Sequence, residues 1–237
     1  MTDTNRRRPL LAPLVALAAV TTLTVGCGND SVLAGSPTQA RTGATANTGT
    51  SHGGTSASKE IGLHASMRKL WSDHMQWTFA TVDSFFHNDA AVQPELDRLL
   101  RNQTDIGQAV VPFYGEQAGE ALGTLLTTHI QQAVPVLKAA KANDKAALDA
   151  ALDDWYANAK EIADLLSKAN PKQWPTSATE PMMKAHIEQT TAYATDLLKG
   201  DYTSAIHHYD EAYDHMMMLA DTLSNGIVSQ FPDRFTA

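Results

Sequence analysis

Three histidines occur at matching positions along the chain, each 15 residues before an aspartate. The histidines are His74, His129 and His186, and the aspartates are Asp89, Asp144 and Asp201. Around each histidine, the residues three and four positions before it and four and eight positions after it are mostly apolar, which predicts a place on the apolar stripe of a helix. Neutral imidazole is a good metal ligand, so three in one register would form a metal site if their helices converge.

The spacing of these histidines also predicts an internal repeat of 55 to 57 residues. We predict that each repeat is one helical hairpin. Hairpins packed around a common axis would bring the three imidazoles together, whereas an open solenoid would space them along a row. Duplication of an ancestral hairpin would explain the register without any metal, and a single histidine on an apolar stripe is usually a neutral, hydrogen-bonded core residue.

The second helix of each predicted hairpin supplies polar candidates. Asn102, Asn158 and His215 fall at equivalent positions, and Asp105 and Glu161 follow one turn later in the first two hairpins. A ligand histidine normally donates its other ring N–H to a carboxylate or carbonyl. We therefore expect His215 as a fourth metal ligand and the other four residues as supporting partners. The alternative is that these side chains only cap or cross-link helices.

The residues near the histidines leave the metal open between copper, zinc and iron. Three imidazoles with a carboxylate suit zinc or iron. Methionines stand close to the histidines in sequence, at Met75, Met182–Met183 and Met216–Met218. Thioether sulfur beside imidazole favours copper, although methionine more often fills irregular helical cores.

The elements that would position these residues are all helical. Apolar residues recur at three- and four-residue steps, and no segment alternates with a period of two. We predict an all-α domain over residues 59–237, a six-helix bundle built from three αα-hairpins at about 61–112, 116–168 and 179–230. Asn143-Asp144 and Gly200-Asp201 each supply a helix-ending residue followed by an N-cap.

The N-terminus predicts export and lipid anchoring. Arg6, Arg7 and Arg8 precede an uncharged apolar run that ends at Gly26-Cys27. The segment Leu23–Cys27 resembles a bacterial lipobox, which implies that residues 1–26 are a signal peptide and that Cys27 carries the lipid, including palmitate. Residues 27–58 are rich in Gly, Ser, Thr and Ala and predict a disordered tether. The expected location is therefore extracytoplasmic, at the cell membrane.

Charge and cysteine content exclude several functions. The formal net charge is −8, and loss of residues 1–26 with their three arginines would make it more negative. A nucleic-acid partner is therefore not expected. Cys27 is the only cysteine, so the helical domain has neither a disulfide nor a thiol nucleophile. No catalytic residue is assigned.

From Asp73-His74 through Gln230-Phe231-Pro232, the chain resembles uncharacterised all-helical exported proteins of Gram-positive bacteria, a resemblance that implies no activity. Three functions remain open. The first is binding or buffering a transition metal at the cell envelope. The second is a helical-repeat module that binds an envelope protein, with structural core histidines. The third is a metal-dependent envelope enzyme, which would need an open coordination position.

Overall fold

The computed structural model describes residues 52–236, and every regular element in that part of the chain is a helix. The helices are α1 (His52–His87), α2 (Asp89–Tyr114), α3 (Glu116–Ala142), α4 (Lys145–Ala169), α5 (Thr176–Lys199), α6 (Tyr202–Gln230) and the short α7 (Pro232–Phe235). The prediction of an all-helical bundle is confirmed. One turn of helix, α7, follows the six long helices that the sequence predicted.

The six long helices form a closed bundle. Each of them packs against the next along the chain, and α6 returns to pack against α1. Helix α5 also contacts α1 and α3. The apolar stripes of the helices therefore face a shared interior instead of an extended surface, and that interior holds the main core cluster.

Short turns with left-handed residues and N-caps set the helix boundaries. Asn143 and Gly200 end α3 and α5 with φ values of 52° and 72°. The next residue in each case, Asp144 or Asp201, caps the following helix by accepting a backbone N–H three residues later. These two predicted boundaries are confirmed, and they place consecutive helices side by side.

The start of α1 differs from the prediction. The helix begins at His52, so residues 52–58, which were assigned to the tether, are helical. The predicted signal peptide, Cys27 and the rest of the tether lie outside the described residues. In the part of the chain that the structure covers, no helix combines the length and apolarity needed to cross a membrane.

Candidate metal centre

His74, His129 and His186 meet in the interior of the bundle. The ring centroids of His74 and His186 are 5.5 Å apart, and those of His129 and His186 are 5.8 Å apart. All three side chains are almost fully buried. They come from α1, α3 and α5, the first helices of the three predicted hairpins, so the common register found in the sequence corresponds to proximity in space.

These separations are close to those that a metal ion would require. Imidazoles bound to one tetrahedral ion at bond lengths near 2 Å have ring centroids about 5 Å apart. Within residues 52–236, however, no three His, Cys, Asp or Glu side chains are already arranged to hold an ion. Coordination by the three rings therefore requires side-chain rotation within the cluster.

An amide on α4 fixes the protonation of His129. Asn158 donates its side-chain N–H to the carbonyl of Leu125 at 3.2 Å, which turns its oxygen Oδ1 towards His129. That oxygen lies 2.9 Å from His129 Nδ1. Since a carbonyl oxygen only accepts, Nδ1 carries the proton and Nε2 keeps a free lone pair. This is the tautomer that a metal ligand needs.

His74 contacts an amide in a different way. The nitrogen Nε2 of Gln103 lies 3.3 Å from His74 Nδ1 and also donates to the carbonyl of Leu99 at 2.8 Å. In this arrangement His74 Nδ1 is an acceptor, so its proton is on Nε2. The amide oxygen Oε1 of Gln103 is buried and has no hydrogen-bond partner.

His215 lies at the edge of the centre. Its Nε2 is 2.9 Å from the carbonyl of Met182, to which it donates. Asn102 makes the corresponding bond to Leu70 at 3.0 Å, as Asn158 does to Leu125. In all three cases the carbonyl belongs to the residue four positions before the buried histidine. His215 therefore cross-links α6 to α5, and only its Nδ1 remains for a metal.

Burial keeps the three histidines neutral. The pKa of His74 is lowered to about 3, first by burial and then by the charge of His129. Burial lowers the pKa of His129 to about 4, partly offset by its hydrogen bond to Asn158. The pKa of His186 is also well below its ordinary value, through burial and then the charges of the neighbouring histidines. Neutral imidazole is the metal-binding form.

Each of the three histidines has a buried ring nitrogen without a hydrogen-bond partner. These nitrogens are Nε2 of His74, Nε2 of His129 and Nδ1 of His186. Buried polar atoms are normally hydrogen-bonded, because an unpaired one loses its hydration without compensation. The three nitrogens are therefore buried in one cluster without a hydrogen bond.

The structure corrects the predicted partners of the histidines. Asp105 and Glu161 are both exposed, so neither orients a buried imidazole. The partners are amides, Asn158 for His129 and Gln103 for His74. The sequence prediction missed Gln103, although it directly follows the candidate Asn102 and is completely buried.

A separate groove lies on the surface between α1 and α6. Its volume is 630 Å³, and the exposed Met218 lines it together with the ion pair between Arg68 and Asp221. The groove is the kind of surface that the protein-interaction alternative would use. Its lining does not include the three buried histidines.

No family model, curated protein or solved structure matches the sequence.

Proposed function

We propose that this protein binds a transition-metal ion in the interior of its bundle through His74, His129 and His186. The observation that carries the proposal is the set of three buried, unpaired ring nitrogens on three clustered imidazoles. One metal ion bound by all three nitrogens would give each of them a partner. Copper, zinc and iron all accept imidazole, so these are the ions to test.

Coordination through Nε2 of His74 would require a tautomer change. The proton would move to Nδ1, which would then need an acceptor in place of the Gln103 amide nitrogen. Rotation of the Gln103 amide would present its oxygen Oε1, which is buried and unpaired. The same residue would then support His74 as Asn158 supports His129.

We also propose that the bundle arose from three copies of one hairpin and that a lipid anchors it to the membrane. The three matching bonds from Asn102, Asn158 and His215 support an origin of the bundle from three copies of one hairpin. Lipidation at Cys27 would hold the domain at the outer face of the membrane, where it would bind or buffer the metal. The lipobox-like sequence supports this location.

The proposal is tested by metal binding to the purified, untagged full chain. Cys27→Ser is introduced in every sample, because the only thiol would otherwise bind copper or zinc. We expect about one metal ion per chain and a dissociation constant below micromolar for at least one of Cu, Zn and Fe, measured by elemental analysis and chelator competition. His74→Ala combined with His186→Ala should abolish this binding.

A second pair of histidines provides the matched control. His207 and His208 lie outside the buried cluster near the start of α6, so His207→Ala with His208→Ala should leave metal affinity unchanged. Circular dichroism checks that all variants stay helical. The proposal is wrong if the chain binds none of the three metals, or if the two double variants lose binding equally.

A further inference from the structure

Two tryptophans beside the histidine cluster have indole N–H groups without partners. The ring centroid of Trp71 is 5.6 Å from that of His74, and the centroid of Trp155 is 5.1 Å from that of His129. Both side chains are buried, and both Nε1 atoms have no hydrogen-bond partner. The centre therefore has unpaired N–H donors beside two of its three histidines.

The third buried tryptophan in the part of the chain that the structure describes differs from these two. Trp174 is equally buried, and its Nε1–H donates to the carbonyl of Thr222 at 3.1 Å. Tryptophans with a buried N–H usually have such an acceptor. The absence of an acceptor at Trp71 and Trp155 thus needs a separate explanation.

A metal ion alone cannot satisfy these donors. An indole N–H has no lone pair available for coordination, so it interacts only with a hydrogen-bond acceptor. Three histidines fill three positions of a tetrahedral ion and leave the fourth for an exogenous ligand. An anion in that position would bind the metal with one lone pair and accept hydrogen bonds with others.

We infer that the centre binds a small anion, such as hydroxide, as the fourth ligand of the metal, and that the indole N–H groups of Trp71 and Trp155 hold it. This inference rests on the proposed metal site and specifies its remaining ligand.

Azide binding to the cobalt-loaded Cys27→Ser chain tests the inference. Cobalt(II) reports its coordination through visible absorption, and azide is a small anion that accepts hydrogen bonds. We expect azide to shift the cobalt spectrum saturably. Trp71→Phe and Trp155→Phe should each weaken azide about tenfold, since each removes a hydrogen bond to a charged group. Their cobalt affinity should stay within about threefold of that of the parent chain, because an indole N–H is only a donor and does not ligate the metal.

Trp174→Phe is the matched control, because it removes a buried indole that already has an acceptor. It should leave azide affinity unchanged. A chain that binds neither cobalt nor copper, zinc or iron overturns the metal site and this inference together. A chain that binds cobalt but shows no azide shift, or the same azide affinity in all three tryptophan variants, overturns this inference alone.

A measurement without substitutions covers the case in which a tryptophan variant fails to fold. In the zinc-loaded chain labelled with ¹⁵N-tryptophan, azide should shift the indole N–H resonances of Trp71 and Trp155 downfield. The resonance of Trp174 should not move. Equal shifts of all the indole signals, or no shift, would contradict the inference.

Discussion

The amide of Asn158 determines which nitrogen of His129 remains free. Its nitrogen is bonded to a backbone carbonyl on α3, so its oxygen must face the imidazole. Partners of this kind set both the tautomer and the orientation of a ligand histidine. A change of one polar atom at this position would therefore affect the chemistry of the centre as well as its stability.

Asn158→Leu should lower both stability and metal affinity. The substitution removes two buried hydrogen bonds, which should cost about 1–3 kcal/mol of unfolding free energy. Metal affinity should fall about 10- to 100-fold because His129 loses its orienting partner. Urea unfolding and chelator competition measure the two effects.

Asn170→Leu is the control for this prediction. Asn170 is also buried and also donates to a backbone carbonyl, that of Gly226, but it has no contact with the histidines in the hydrogen-bond network. It should lose stability and keep metal affinity. If both variants lose metal affinity equally, the effect of Asn158 is only structural.

The close approach of α2 and α3 depends on glycines at their crossing. Where α2 passes α3, Gly107 faces the backbone of Gly119 and Gly123. A Cβ atom on Gly107 would lie 2.5 Å from the carbonyl oxygen of Gly119. Since the neighbour is backbone, neither helix can relieve the contact by turning a side chain.

Gly107→Ala should destabilise the bundle even though alanine is the better helix former. We expect a loss of about 1–3 kcal/mol in unfolding free energy as α2 and α3 are forced apart. Gly62→Ala is the matched control, because its added Cβ meets nothing within 4 Å. It should gain up to about 1 kcal/mol from helix propensity. If urea unfolding showed that both variants are stabilised equally, Gly107 would not be needed for the close approach of α2 and α3.

The helices themselves were predictable because they depend on local information. Apolar periodicity located all six long helices, and Asn143-Asp144 and Gly200-Asp201 located two of their boundaries. The start of α1 was placed too late, because the Gly/Ser/Thr-rich composition of residues 52–58 disfavours helix. Once a helix is nucleated, each further residue adds a backbone hydrogen bond, so α1 extends back to His52.

For the molecule as a whole, burial of three neutral histidines makes stability depend on pH. Their folded pKa values lie below the ordinary value near 6.5, about 3 for His74 and about 4 for His129. At pH values between the folded and the ordinary pKa, the unfolded chain therefore binds more protons than the folded chain. The unfolding free energy is therefore highest above about pH 6.5, where the histidines are neutral in both states, and it falls as the pH is lowered.

Acidification should accordingly unfold the bundle before its carboxylates are fully protonated. Each buried histidine contributes a slope of about 1.4 kcal/mol per pH unit, or about 4 kcal/mol for three, at pH values below about 6. Urea unfolding at intervals from pH 7.5 to pH 4.5 measures the slope. His74→Gln should reduce it by about one third. A stability that is constant over this range would contradict neutral burial.

The sequence alone determined the all-helical class and the shared register of the three histidines, because both follow from residue periodicity. It did not determine how far the buried arc extends around each helix. On α2 the buried arc includes Asn102 and Gln103. Three residues of α-helix rotate by about 300°, so Asp105 lies about 60° from Asn102 on the side away from Gln103. Asp105 is therefore exposed.

Only tertiary packing decided that the histidines meet. Identical hairpins in an open row would keep the same register and hold the imidazoles apart. Contact between α6 and α1 closes the bundle and turns the three apolar stripes inward. The proximity of His74, His129 and His186 is thus a consequence of long-range contacts, which local periodicity does not encode.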